Sequence, residues 1–120
     1  MKIAITTEEK SLESMLDTRF GRAGQFILYE TDDDSWEVLD NTQNLQAAQG
    51  AGIQAAQNIV QAGAQALITG HTGPKAWHVL LKAGIPIYYS PRKPVKELIA
   101  AFKNGTLEKA TGADVDSHWV

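Results

Sequence analysis

Two short stretches carry the side chains able to do chemistry. One is Thr18-Arg19-Phe20-Gly21-Arg22-Ala23-Gly24, in which two guanidiniums straddle an aromatic and a glycine. The other is Gly70-His71-Thr72-Gly73-Pro74-Lys75, which follows the apolar run Ala66-Leu67-Ile68. Proline suits the first helical position because its missing N–H costs nothing there, so Pro74 reads as the first residue of a helix and Gly73 as its N-cap. The N–H groups of Lys75 and Ala76 then have no partner within the helix. They sit at the positive end of its dipole, beside the Lys75 ammonium, and form a candidate anion pocket. The same residues also suit an ordinary strand-to-helix turn, and by themselves they leave that alternative open.

Arg19, Arg22 and Lys75 supply positive charge, while Gly21 and Gly73 let backbone approach a ligand closely. His71 offers a neutral nitrogen to a metal or, when protonated, one more donor, and it is the candidate metal ligand. No hydrolase assembles from these parts. Ser11 and Ser90 lack a histidine and an acid at recognisable spacing. The first strand, Ile3-Ala4-Ile5-Thr6, lacks the carboxylate a ribonuclease-H-type nuclease needs, and there is no phosphate-binding GxxxxGK[ST] loop. The constellation is that of an anion binder, and no enzyme is expected. His78 falls on the helix surface, and Trp77 reads as packing beside the pocket. Asp114, Asp116 and His118 alternate as a divalent-ion clamp would, but a frayed tail suits them better. Asp32-Asp33-Asp34 reads as a solvated hairpin turn.

The elements that must position these loops follow from periodicity. Apolar runs at 3–6, 25–30, 36–40, 66–69 and 85–89 read as strands, and Pro86 places the last at a sheet edge. Helices are expected from about Gly52 to Gly63 (Ile53, Ala56, Ile59, Val60), from Pro74 to Gly84 (Val79, Leu80 and Ala83 inward), and over 94–103 (Val95, Leu98, Ile99, Phe102). The order β-β-β-α-β-α-β-α demands parallel crossovers in the second half and a hairpin in the first. The expected fold is α/β: a five-strand mixed sheet of order 3-2-1-4-5 with helices on both faces. Ligands of such sheets bind above the carboxyl ends of the strands at the switch point, here the first and fourth. That brings the Arg19–Arg22 and His71–Lys75 loops to one rim, with the Gln- and Ala-rich segment 41–52 able to cover it. Residues 1–105 are expected to form a single domain, with 106–120 a loosely held polar tail.

With 43% hydrophobic and 21% charged residues, the chain reads as an ordinary soluble globule. Its net charge of −3 argues against nucleic acid, which calls for a basic stripe. No run reaches the length of a membrane span, and the start MKIAITTEEK is unlike a signal peptide, so a cytoplasmic protein is expected. There is no cysteine. Disulfides, thiolate nucleophiles and the usual ligands of iron–sulfur clusters are therefore absent, and any inorganic cluster must be gripped in another way.

Several segments together resemble one family: MKIAI, Arg19-Phe20-Gly21-Arg22-Ala23, Gly50-Ala51-Gly52-Ile53, the loop Gly70–Ala76, Ala83-Gly84-Ile85 and the closing helix. It is the dinitrogenase iron–molybdenum cofactor biosynthesis accessory family. The resemblance implies a ribonuclease-H-like fold and a role as carrier of metal–sulfur clusters or their precursors. One branch, in anaerobes, is similar to this chain in size and holds a molybdenum–copper sulfide cluster without covalent attachment. Many relatives have histidine just before Phe-Gly-Arg, where this chain has Arg19, which shifts the weight from ligation in that loop to electrostatic gripping. A polyanionic thiometallate would be held by Arg19, Arg22 and Lys75, by N–H groups of the 71–76 loop, and by apolar contact with Phe20. Two other classes stay open: a regulatory module docking an ATPase or a cluster donor or acceptor, and a binder of a phosphorylated small molecule.

Overall fold

The computed structural model describes residues 1–41 and 50–115. Its strands are β1 (Lys2–Thr7), β2 (Gln25–Glu30), β3 (Trp36–Asp40), β4 (Ala66–Thr69) and β5 (Ile87–Tyr89). The helices are α1 (Ala51–Gln61), α2 (Pro74–Lys82) and α3 (Val95–Lys103), and Phe20–Arg22 forms one 3-10 turn. The sheet order is β3-β2-β1-β4-β5, as the alternation of elements predicts. β1 lies antiparallel to β2, with Ile3 opposite Tyr29, and parallel to β4, with Ile5 beside Ile68.

Side chains alternate across a strand, so each central strand feeds two cores. Ala4, Phe26, Leu28, Leu67 and Ile87 pack with Ala55, Ala56 and Ile59 of α1 and Ala76 and Leu80 of α2. Ile3, Ile5, Ile27, Tyr29 and Ile68 pack on the opposite face with Leu16 and with Val95, Leu98 and Ile99 of α3. This gives the expected three layers. Gly63 and Gly84 stop their helices in the left-handed conformation, at φ +84° and +73°, where a side chain would be strained.

Some expectations fail locally. Ala83 is exposed, and Ala76 takes the inward position instead, because α2 turns its Ala76–Leu80 stripe to the sheet. The last strand begins at Ile87, since Pro86 carries no N–H for a ladder bond and contributes only its carbonyl, to Leu67 N at 3.0 Å. Nor is the chain after Thr106 loosely held as far as residue 115. Lys109 pairs with Tyr88, and Ala110 N donates to Ile87 O at 2.7 Å, so this segment covers the outer edge of β5. Val115 continues it to the 71–72 loop, its N–H 3.3 Å from Thr72 O. The expected covering loop lies largely outside the described residues, as do Asp116, His118 and Trp119.

Candidate functional site

The two chemical stretches meet. Arg19 pairs with His71 as an isolated parallel bridge, and Phe20 N donates to His71 O at 3.4 Å. The crevice straight above β1 and β4, however, is closed. Asp17 N donates to Thr6 O at 3.0 Å, and the Thr6 hydroxyl bonds Asp17 O at 2.6 Å and the Thr69 hydroxyl at 2.9 Å. Thr18 sits so close over Gly70 that a Cβ on the glycine would lie 2.5 Å from Thr18 Cβ. The rim is therefore displaced to the amino ends of α1 and α2. Gly21 touches the first turn of α1, where an added Cβ would lie 2.8 Å from Gly52 N, and Gly52 in turn faces Ala76 of α2.

Helix ends show what this rim can hold. In α3 the first-turn N–H groups are taken by backbone: Val95 N donates to Ser14 O at 2.8 Å and Lys96 N to Leu12 O at 3.1 Å. In α1 and α2 the N-caps, Gly50 and Gly73, make no side-chain cap bond. Among the described residues, the N–H groups of Gly52, Ile53, Lys75 and Ala76 have no protein acceptor. The positive ends of two helix dipoles thus lie close together beside the turn that carries Arg19 and Arg22, and Lys75 stands in the first turn of α2. Arg22 is half-buried, Arg19, Lys75 and Pro74 are exposed, and Gly73 is buried.

Other residues of the expected site have different duties. Phe20 is fully buried and packs on Phe26 at a centroid distance of 5.7 Å, so it braces the turn from below and offers no surface to a ligand. Thr72 is buried too, its hydroxyl 2.5 Å from Tyr89 Oη, which in turn donates to Gly112 O at 2.9 Å. The Thr72 N–H already donates to Asp114 Oδ1 at 3.0 Å, and His71 Nδ1 lies 2.8 Å from Asp114 Oδ2. Neither Asp114 nor Tyr89 is recognisable from the sequence as a partner of the 71–76 loop. Asp114 stands 43 residues from His71 in the chain, a separation no spacing rule spans. Trp77 is half-buried against the α1/α2 core, and His78 is exposed on α2, both as expected. Among the described residues, no group of three or more His, Asp or Glu is gathered for a metal ion. The set is thus one imidazole and one carboxylate, already paired with each other, amid cationic residues and amides, which suits an anion held as a whole better than a bare cation.

Asp17 sets the local pH response. Burial raises its carboxyl above the ordinary 3.8, only partly offset by the Arg19 N–H that it accepts at 3.0 Å. A carboxyl raised in the folded state holds its proton more tightly there than in the unfolded chain. Stability should therefore fall as pH rises from the unfolded value through the folded one. Asp17→Asn keeps the acceptor and removes that fall. Urea unfolding of both proteins from about pH 3 to about pH 7 should show the profiles diverging upward in favour of the variant, whereas parallel profiles would clear Asp17.

A family model described as dinitrogenase iron-molybdenum cofactor matches residues 1–105. The apo form of the orange protein from Desulfovibrio gigas superposes with a TM-score of 0.92 at 35% identity, covering 95% of this chain and 96% of that one. A Thermotoga protein assigned to NifB and to the DUF35 family gives 0.83 at 36% identity, covering 95% and 97%. An uncharacterized protein of Methanocaldococcus jannaschii is 31% identical over 112 residues, 91% of each chain. No helix among the described residues is long and apolar enough to cross a membrane.

Proposed function

Because this chain belongs to the dinitrogenase iron–molybdenum cofactor family, we propose that it is a non-catalytic carrier of an anionic molybdenum-containing sulfide cluster. The cluster we favour is molybdenum–copper sulfide, held without covalent attachment at the rim formed by Arg19, Gly21, Arg22, His71, Gly73, Pro74 and Lys75. The observation that carries this reading is the convergence of the Arg19–Arg22 turn on the His71–Lys75 loop, with the Arg19–His71 pairing as its pin. Likeness to the orange protein supports the choice of cargo. Outward sulfides accept hydrogen bonds, and a polyanion is attracted by guanidiniums and uncapped helix ends. Grip by charge rather than by thiolate follows from a chain without cysteine. A carrier needs a donor and an acceptor protein, and we place the exchange in the cytoplasm.

The test uses apo protein with tetrathiomolybdate and copper. A protein-dependent charge-transfer band and a fixed metal ratio by native mass spectrometry are expected. No uptake at low salt would end the carrier reading and leave a phosphorylated small molecule or a protein partner as the ligand of the rim. His71→Ala should alter the shape of the metal absorption if Nε2 ligates copper, whereas loss of a purely ionic contact changes affinity alone.

A further inference from the structure

The donors best placed for an incoming anion are already engaged by an anion of the chain's own. Asp114 reaches the rim through both carboxylate oxygens, Oδ1 to Thr72 N at 3.0 Å and Oδ2 to His71 Nδ1 at 2.8 Å. Its backbone holds the same place, with Asp114 N 3.1 Å and Val115 N 3.3 Å from Thr72 O. We propose that Asp114 is an internal competitor, the tip of a strap formed by residues 108–115, which an anionic cargo must displace from the His71–Thr72 donors. The inference concerns regulation of the carrier site and rests on that reading.

The strap is built to open. Between its anchors at Ala110 and Asp114 it lines, with Tyr89, a cavity of about 390 Å³, and a single bond holds it there, from Tyr89 Oη to Gly112 O at 2.9 Å. Most of its residues are exposed, and Asp114 itself keeps 33% of its side-chain surface in solvent. Segments with few buried contacts occupy the low end of local opening free energies. Lys109 and Ala110 stay zipped to β5, which makes the movement a lift of the distal half and not a loss of the whole segment. A bound dianion beside a retained carboxylate would be repelled in a half-buried site, where screening is weak. Displacement removes that repulsion and frees one imidazole nitrogen and one amide N–H for the cargo.

A closed strap lowers apparent affinity by the fraction of molecules that are open. Asp114→Asn keeps an oxygen for Thr72 N–H and removes the charge, so it should bind tetrathiomolybdate roughly tenfold more tightly than the unaltered chain, a gain expected if about one molecule in ten is open. In the unaltered chain, saturating tetrathiomolybdate should accelerate amide exchange at Asp114 and Val115 while Ala110 stays protected. Equal or weaker binding by Asp114→Asn would overturn the competition, weaker binding meaning that the carboxylate orients His71 toward the cargo instead. Undiminished protection at Asp114 and Val115 in the saturated complex would overturn it too. Those outcomes leave the carrier reading standing; uptake by neither protein would remove both.

Discussion

Gly70→Ala should destabilise the chain by about 3 kcal/mol, the upper part of the range for forcing atoms into filled space. The new methyl carbon would fall 2.5 Å from Thr18 Cβ, 2.6 Å from Thr18 Cα and 2.6 Å from Thr18 O. Two of these are backbone atoms, so no rotamer change relieves the clash. Thr18 is also pinned from its other side, because Asp17 is bonded through N–H and carbonyl to Thr6. The strain must move either the end of β4 or the 14–18 segment, and either movement parts Arg19 from His71. Gly24→Ala is the control, since nothing lies within 4 Å of its added carbon. Urea unfolding of the two variants with equal m values reads the difference directly. Equal midpoints would show that the contact yields freely and that the two loops are not locked together by it.

Loss of both guanidiniums should be the largest functional effect. Hydrogen bonds to a charged group contribute about 1.5–3 kcal/mol each, so Arg19→Ala with Arg22→Ala should weaken tetrathiomolybdate binding by at least roughly a hundredfold. The residual affinity should depend less on salt than that of the unaltered chain, because fewer charges remain to be screened. Arg19→Lys with Arg22→Lys should recover part of the loss but not all, since a lysine gives a point charge without the planar fork. Phe20→Leu is the informative contrast. Phe20 is buried on Phe26, so its replacement should lower stability while leaving the anion affinity of the folded protein nearly unchanged. Full-strength binding by the double alanine variant would place the anion away from this rim.

Much of the fold is written in short-range pattern. A strand buried on both faces must be a continuous apolar run, which is why Ile3–Ile5 and Ala66–Ile68 are recognisable as central. Helix limits are equally local: Gly73-Pro74 opens α2, and Gly63 and Gly84 end their helices in a conformation that favours glycine. Once strands and helices alternate, the order 3-2-1-4-5 is nearly forced, because parallel neighbours require a crossover. The same order carries the Arg19–Arg22 turn and the His71–Lys75 loop toward one end of the sheet, as β1 and β4 lie side by side.

What the tertiary structure decided is everything that depends on two distant segments sharing one space. The residue types at 14–18 do not disclose that Thr18 lands on Gly70 and shuts the crevice over β1 and β4. Phe20 sits in a polar, glycine-flanked turn and looks available to a ligand. It is buried because the turn lies on α1, with Gly21 against Gly52. Asp114 lies in a polar stretch without periodicity, and only the edge of β5 gives that stretch a partner. Local pattern records which dihedral well and which face a residue prefers, since those are settled within a turn or two of chain. Contacts such as Asp114 with His71 are settled by the combined register of several elements, and no single stretch of sequence carries that sum.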